Sequence, residues 1–265
     1  MSTRTLRFGA TLTFAAVTAL ALSACSESSD PQPSTSSSSS SQSTGQPTAQ
    51  GTATQTAPAP EPTPSTIDVD VYSAARTFGS AESAAKVYTT SETSSLVAGL
   101  RKDAATIAYS PSSCEPLLGS PLASLPAGSK ASMVLVDGTG ATGTQVGFFS
   151  AGSADFYEKR FGDQAGLSSM CKTVNIKSVS SSNTGVMDVV LGKMQSNAPG
   201  SLVVMVRGKD TSAYASSQEM RVTQVYLYNK NLGVSARVNG TDAAAQAKAA
   251  RLANSAYKAL LGNPA

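Results

Sequence analysis

Residues 26–66 constrain the fold of this chain more than any other feature of the sequence. They consist almost entirely of Ser, Thr, Pro, Gln, Ala and Gly, carry only three charged side chains and contain no large apolar one. Such a segment cannot bury enough apolar surface to offset its chain entropy. We expect a disordered tether with an end-to-end distance of about 35 Å. A folded core is therefore expected in residues 67–265, a length typical of a single domain.

The N-terminus predicts export from the cytoplasm. Arg4 and Arg7 precede an apolar run from Phe8 to Leu22, and the run ends in the small residues Ser23 and Ala24. This arrangement of a basic start, an apolar stretch and small residues is typical of a secretory signal peptide, which we assign to residues 1–24. A transmembrane anchor is the less favoured interpretation, because a span needs about 20 apolar residues.

A cysteine follows the small residues directly, in the sequence Leu22-Ser23-Ala24-Cys25. This resembles the lipobox of bacterial lipoproteins, in which the chain is cut before the cysteine and the cysteine sulfur carries diacylglycerol. The resemblance implies that Cys25 is the lipidation site and that residues 25–66 form the lipidated cysteine and its tether. It also implies that the domain is held at the outer face of the cell membrane. An ordinary secretory signal with a chance cysteine remains the alternative.

Two further cysteines, Cys114 and Cys171, lie in the expected domain. An exported protein folds in an oxidising compartment, so we predict one disulfide between them. Free thiols or a shared metal site are the alternatives, although two cysteines without any histidine make a poor metal site. The chain has no histidine at all, which excludes Ser–His and Cys–His catalysis. A carboxylate pair or a Ser–Lys arrangement stays possible, but no spacing in the sequence points to either. We predict no catalytic residue, no metal and no cofactor, and we expect that the protein is not an enzyme.

Hydrophobic periodicity predicts three helices. The first covers residues 91–108 with Ser91 as its N-cap, and the second covers residues 153–167. The third is a C-terminal helix that Asn239 or Thr241 caps and that ends near Gly262. One face of this last helix is apolar and is formed by Ala245, Ala249, Leu252, Ala256 and Leu260.

Runs typical of β-strands fill most of the remaining domain. Ile67, Val69 and Val71 alternate with aspartates, which predicts a short half-exposed strand. Further strands are predicted at residues 131–136, 144–150, 173–179, 185–194, 201–207, 220–228 and 232–238. Consecutive strands without regular βαβ alternation favour an α+β fold. We expect a twisted antiparallel β-sheet with helices packed on one face, including the C-terminal helix.

From about residue 113 to residue 261 the pattern resembles the PknH-like extracellular sensor domain of actinobacteria. The features that carry the resemblance are Cys114, the Phe148-Phe149 strand, the segment from Ser153 to Tyr157 that leads to Met170-Cys171, the strand from Asn231 to Val238 and the Ala-rich terminal helix. The family usually has a tryptophan where Met170 stands and often a second disulfide, and this chain has neither. The resemblance implies a twisted antiparallel sheet, flanking helices and a ligand-binding cleft. It brings no catalytic residues.

Two other binding functions are disfavoured. From residue 67 onward the chain has 18 basic and 14 acidic side chains, scattered without the basic stripe that nucleic acid requires. Gly138, Gly140 and Gly143 satisfy the spacing of a dinucleotide-binding loop, but the following residues read as a strand instead of the helix that holds the pyrophosphate. We interpret this segment as a hairpin loop.

Three functions remain open. The first is a membrane-tethered ligand-binding or sensor-like module without catalysis, which predicts a cleft with a few convergent polar groups. The second is a carrier of lipids or glycolipids of the cell envelope, which predicts a large apolar cavity. The third is a hydrolase with two converging carboxylates. We favour the first, with the membrane as one partner and a small molecule, a lipid or an envelope protein as the other.

Overall fold

The computed structural model describes residues 65–138, 143–179, 184–210 and 219–262. Cys25, the signal peptide and all of the tether before residue 65 lie outside the described residues, as do residues 139–142 of the glycine-rich loop. Within the described residues, no helix is both long enough and apolar enough to span a membrane.

The domain is an α+β fold built on one antiparallel sheet, as the sequence predicts. The strand order is β1-β3-β4-β9-β8-β7-β6-β5-β2. The strands are β1 (Lys86–Val87), β2 (Ile107–Ser110), β3 (Lys130–Asp137), β4 (Thr144–Ser150), β5 (Thr173–Ser178), β6 (Thr184–Gly192), β7 (Gly200–Asp210), β8 (Met220–Asn229) and β9 (Leu232–Asn239). The helices are α1 (Val71–Ala81), α2 (Thr90–Ala104), α3 (Glu115–Leu118), α4 (Phe156–Phe161), α5 (Gln164–Met170) and α6 (Ala243–Leu261).

Helices cover both faces of the sheet, not the one face that the sequence predicts. Successive strand side chains point to opposite faces, and two apolar cores result. One core joins α1 and α6 to residues such as Phe148 and Val234. The other joins α2, α3, α4 and α5 to residues such as Met133 and Phe149. Because every residue of β4 is buried, this central strand has no solvent-facing side.

The strand predicted from Ile67 to Val71 is reduced to a single β-bridge at Val69, and the first regular element is helix α1, which begins at Val71. Asp70 is the N-cap of α1, and its carboxylate accepts hydrogen bonds from the backbone N–H groups of Tyr72 and Ser73. The alternation of valines with aspartates before Val71 therefore marks the entry to a helix. An aspartate that satisfies free N–H groups at a helix start outweighs a short alternating pattern.

Two predicted helix boundaries also shift. The N-cap of α2 is Thr89 instead of Ser91, and Thr89 and Glu92 form a reciprocal capping box. The N-cap of α6 is Asp242, whose carboxylate accepts from the backbone N–H of Ala245 at 2.8 Å, and neither Asn239 nor Thr241 has this role. In both cases the residue with the best-placed side-chain oxygen determines where the helix begins.

The helix predicted over residues 153–167 is divided into α4 and α5. Gly162 ends α4, and Asp163 begins α5 by accepting a hydrogen bond from the backbone N–H of Gly166 at 2.9 Å. Helix α5 ends at Met170, and Cys171 is its C-cap. The predicted disulfide between Cys114 and Cys171 is present, with a Cα–Cα distance of 5.6 Å, and both cysteines are buried.

Both predicted hairpins are formed by antiparallel neighbours. β8 and β9 are joined by a turn at Lys230 and Asn231, and Lys230 has a φ of 51°. Gly143 leads directly into strand β4, which pairs with β3. The glycine spacing is therefore followed by a strand and not by a helix, so a dinucleotide-binding turn is excluded.

Candidate functional site

A cleft lies where the start of α1, one side of α2 from Thr90 to Arg101 and the segment before β3 meet. Its volume is about 570 Å³. The segment concerned, residues 119–129, connects α3 to β3 without helix or strand and is called the 119–129 segment below. The site is concave and of a size that suits a small ligand.

The lining of the cleft combines apolar and hydroxyl side chains. The apolar part comes from both helices and the 119–129 segment and includes Val71, Val97, Ala98, Leu125 and Pro126. The hydroxyl part comes from the first turns of α2 and includes Thr90, Thr93 and Ser94. An apolar wall with a few polar groups is the usual composition of a small-molecule site.

Thr93 is the most informative residue of the cleft. Its side chain is only 2% exposed, and its hydroxyl oxygen is buried without a hydrogen-bond partner among the described residues. A buried hydroxyl without a partner costs roughly 1–3 kcal/mol. A ligand with a suitably placed acceptor or donor would remove this cost.

Arg101 fixes the wall opposite α1. Its guanidinium donates hydrogen bonds to the carbonyl oxygens of Ala123 at 3.3 Å and of Leu125 at 2.8 Å. These contacts hold the 119–129 segment against α2. Arg101 therefore positions one wall of the cleft and places a positive charge at its edge.

A second basic side chain stands at the other end of the 119–129 segment. Lys130 contacts Asp68 at a distance of 2.8 Å between Nζ and Oδ1. The hydrogen bond and charge of Lys130 lower the pKa of the exposed Asp68 carboxyl. This contact links the chain before α1 to the start of β3, on opposite sides of the cleft.

A second pocket, of about 580 Å³, lies between α6 and the β6–β7 connection. Its polar lining includes Gln195, Asn197, Asn254 and Lys258. None of its described lining side chains is among the buried ones that lack a hydrogen-bond partner. The cleft between α1, α2 and the 119–129 segment, called the α1–α2 cleft below, is for this reason the stronger candidate site.

The two cysteines for which the sequence analysis predicts a disulfide lie away from the cleft, as do the tyrosines of β8. Cys114 and Cys171 lie in the core on the helix α2 to α5 side of the sheet. Tyr226 and Tyr228 lie in an aromatic cluster with Tyr157 and Phe161. The described residues contain no group of three or more His, Cys, Asp or Glu side chains that could hold a metal ion.

Sequence reasoning missed Thr93 and Arg101. The signal for Thr93 was its position one turn before Leu96 and two turns before Leu100 on the buried face of α2. A hydroxyl at such a position is either satisfied by a distant segment or available to a ligand. The distant segment could not be identified from the sequence, because the 119–129 segment is about 30 residues away and has no regular structure.

Comparison with known proteins gives few matches. No family model matches the sequence, and no curated protein matches it. Among solved structures, the chain is similar to an uncharacterised Mycobacterium smegmatis protein, the ortholog of Rv0999. The sequence identity is 15%, the TM-score is 0.41, and the match covers 73% of this chain and 97% of the other.

The extracellular domain of PknH from Mycobacterium tuberculosis is also similar. Here the identity is 15% and the TM-score 0.38, and the match covers 57% of this chain and 78% of the other. Both TM-scores and both identities are too low to transfer a function from either protein.

Proposed function

We propose that this protein is a membrane-anchored extracytoplasmic lipoprotein whose domain binds a ligand in the α1–α2 cleft, as a sensor-like module without catalysis. The observation that carries the binding part is the unpartnered hydroxyl of Thr93 in a cleft of about 570 Å³. The anchoring part is supported by the sequence that ends in Cys25. The mixed lining favours a ligand with an apolar body and one or more hydrogen-bonding groups.

The side chains around the cleft support binding over hydrolysis. Asp70 is the one carboxylate among the described residues that line it, and its oxygen caps α1. Hydrolysis by paired carboxylates needs two acidic groups about 5–9.5 Å apart. The cleft offers a hydroxyl, a guanidinium and apolar walls, which together bind and orient a molecule.

Native mass spectrometry of the full chain, purified from an actinobacterial host, tests the ligand. We expect a copurifying small polar or amphiphilic molecule that is lost on denaturation. The variant Ala98→Phe fills the cleft from the exposed side of α2 and is expected to abolish copurification. Ser95→Phe is the matched control, because Ser95 is exposed on the same helix but does not line the cleft.

The outcomes separate the possible functions. A bound long-chain lipid that Ala98→Phe does not displace would favour a lipid carrier with its site elsewhere. Equal ligand occupancy in Ala98→Phe and in the unchanged protein would refute the cleft as the binding site. A protein free of ligand, and unresponsive to extracts of the cell envelope, would refute small-molecule binding altogether.

Lipidation is tested separately from ligand binding. The full chain is expected in the membrane fraction, with a mass that includes a diacylglycerol on Cys25. The variant Cys25→Ser is expected to appear in the soluble fraction without this added mass. Membrane association of Cys25→Ser at the level of the unchanged protein would contradict the proposed anchor.

A further inference from the structure

The side of the sheet on which α1 and α6 pack is only partly covered by these two helices. Helix α6 packs on β4, β8 and β9, and α1 packs on β1, β3 and β4. Ile176, Val189 and Val204 lie in the core on the opposite side, so the residues that alternate with them face the α1 and α6 side. We call the surface that β5, β6 and β7 present there the open sheet face; its described residues are Thr173, Asn175, Lys177, Val186, Asp188, Val190, Met205, Arg207 and Lys209.

Exposed apolar side chains stand at both ends of the open sheet face. Val190 is 57% exposed, and Met205, its cross-strand partner, is half-buried. Val179 is 70% exposed, and its backbone N–H donates to the carbonyl of Thr106, which continues β5 and places Val179 on the same side as Lys177. The strand rise puts Val179 and Val190 about 25 Å apart along the strand direction.

Basic side chains lie between these two valines. Lys177, Arg207 and Lys209 are exposed, and none of the three forms a salt bridge with another described residue. Asp188 is the one carboxylate among the described residues of the face, and it accepts a hydrogen bond from the hydroxyl of Thr173 at 3.1 Å. The open sheet face therefore carries a net positive charge.

The arrangement of the arginines costs stability in the free domain. Arg207 is the direct cross-strand partner of Arg221 on β8, and like charges directly opposite each other destabilise a sheet. Glu219 offsets one of the two charges, because its Oε2 lies 2.6 Å from Nη2 of Arg221. The guanidinium of Arg207 donates to the hydroxyl of Thr241, which is uncharged and leaves its positive charge in place. An anionic partner on this face would offset the remaining repulsion.

We propose that the open sheet face docks on a membrane surface rich in anionic phospholipids. Lys177, Arg207 and Lys209 contact the phosphate groups, and their charge complements that of the lipids. Val179 and Val190 enter the boundary between headgroups and acyl chains, where exposed apolar side chains leave water. Apolar residues at both ends of a broad face, with basic residues between them, suit an extended planar surface. A second copy of the chain would instead set the same positive excess against itself.

The docking extends the membrane anchoring that we propose above and is a separate contact. A lipid on Cys25 would hold the domain at a high effective concentration near the membrane, so that a weak contact by the open sheet face suffices. The docked domain would have this face towards the bilayer. The α1–α2 cleft shares no described residue with the open sheet face, so docking leaves its lining residues free to bind a ligand.

A fluorescent label on the open sheet face tests the docking. The full chain with Val190→Cys, as the host processes it, is labelled with an environment-sensitive dye and mixed with excess vesicles. The vesicles contain either equal parts of phosphatidylglycerol and phosphatidylcholine or phosphatidylcholine alone. We expect a blue shift of the emission with the anionic vesicles only, and its loss at high salt.

Ser95→Cys is the matched control for the label, because Ser95 is exposed on α2 and this helix packs on the opposite side of the sheet. We expect no shift from this position. The unchanged protein, treated with the same dye, gives any contribution from Cys25. Flotation with neutral vesicles reports the lipid anchor, whereas the dye at position 190 reports the docking, so either proposal can fail without the other.

Charge variants test the basic residues of the face. In the labelled protein, Lys177→Gln/Lys209→Gln is expected to raise the vesicle concentration for the half-maximal shift at least about tenfold, since each basic residue near an anionic surface contributes about fivefold. Lys102→Gln/Lys159→Gln removes the same charge from exposed positions on α2 and α4 and is expected to change it little.

The outcomes decide between a membrane and other occupants. The same emission from positions 190 and 95 in anionic vesicles would overturn the proposal. So would an equal shift with neutral vesicles, or equal effects of the two pairs of lysine substitutions. A shift at position 190 that grows with protein concentration in the absence of vesicles would overturn it in favour of a second copy of the chain.

Discussion

At the residue scale, Thr93 links stability to binding in one hydroxyl group. The group is buried and unpartnered, so the folded domain bears its desolvation cost without a compensating bond. The isosteric change Thr93→Val is expected to raise the free energy of unfolding by about 1 kcal/mol and to weaken the cleft ligand about tenfold. Urea unfolding and ligand titration measure the two effects on the same samples.

Thr77→Val serves as control for this substitution, because Thr77 is exposed on α1 and does not line the cleft. We expect it to change neither quantity. A loss of stability in Thr93→Val would mean that the hydroxyl already has a partner in the folded domain, and the argument for the cleft would lose its main support.

Tyr226 has a buried hydroxyl whose titration affects stability at high pH. Burial raises the pKa of Tyr226 to about 12, although Arg160 and Arg237 oppose the rise. Between pH 10 and 12 the unfolded chain releases this proton while the folded domain retains it, so the free energy of unfolding falls as pH rises. In Tyr226→Phe this fall is expected to be smaller by roughly 2–3 kcal/mol.

Urea unfolding at intervals from pH 9 to 12 measures this slope. Tyr72→Phe is the matched control, because Tyr72 is a partly exposed tyrosine on α1. If the slopes of Tyr226→Phe and the unchanged protein coincide, the hydroxyl of Tyr226 is in contact with solvent. The aromatic cluster around Phe161 would then be more open than its ring contacts indicate.

At the element scale, the cap of α6 lies later than the sequence predicts, at Asp242 instead of Asn239 or Thr241. Asp242 accepts from the backbone N–H of Ala245, whereas Thr241 accepts from Nε of Arg207. Asp242→Ala is expected to lower the free energy of unfolding by about 1 kcal/mol. Asp242→Asn is expected to keep most of this contribution, because its side-chain oxygen can still accept the capping hydrogen bond. Thermal unfolding of both variants checks the cap, and equal losses would instead indicate a purely electrostatic effect of the carboxylate.

The long strands β3 to β9 were predicted more accurately than the helices, because their patterns are long. The short strands β1 and β2 were not predicted, and β2 begins within the predicted helix 91–108. β8 and β9 each carry eight or more residues with a strong β pattern and a short turn between them. α1 begins at Val71 after only a few alternating residues, so the capping oxygen of Asp70 determines its type. The division of α4 from α5 likewise depends on one pair of residues, Gly162 and Asp163. Two residues are too few to interrupt the helical hydrophobic period of the surrounding sequence.

The candidate site was less predictable than the fold, because its walls come from separate parts of the chain. Thr93 on α2 becomes significant only when the 119–129 segment covers it. That segment is held by Arg101 and Arg160, whose acceptors are backbone carbonyls and a serine hydroxyl. Because every residue has a backbone carbonyl, the sequence does not indicate which carbonyls accept these hydrogen bonds.

At the scale of the whole molecule, the two faces of the sheet have different roles. The core on the α1 and α6 side is built from small and branched apolar residues along one long helix. The opposite core contains the disulfide, the aromatic cluster and the residues beneath the 119–129 segment. The second face is therefore assembled from four helices and an irregular segment, whereas α1 and α6 cover the first.

The disulfide is the covalent link within this second face. It joins the turn before α3 to the residue after α5, positions 57 residues apart in the chain. Closing a loop of this length in the unfolded chain contributes about 4 kcal/mol to stability in the chain-entropy model. The double variant Cys114→Ala/Cys171→Ala is expected to lose this amount in urea unfolding, and the unchanged protein in reductant is expected to behave the same way.

Amide hydrogen exchange then shows which elements lose stability when the disulfide is absent. Opening the bond removes the covalent link between the turn before α3 and the residue after α5, while α1 and α6 keep their own core on the opposite face. We expect faster exchange in residues 112–129 and 156–171 and little change in α6 of the double variant. Uniformly faster exchange across both faces would instead show that the sheet unfolds as one cooperative unit. In that case a ligand bound on either face would stabilise the other face to the same extent.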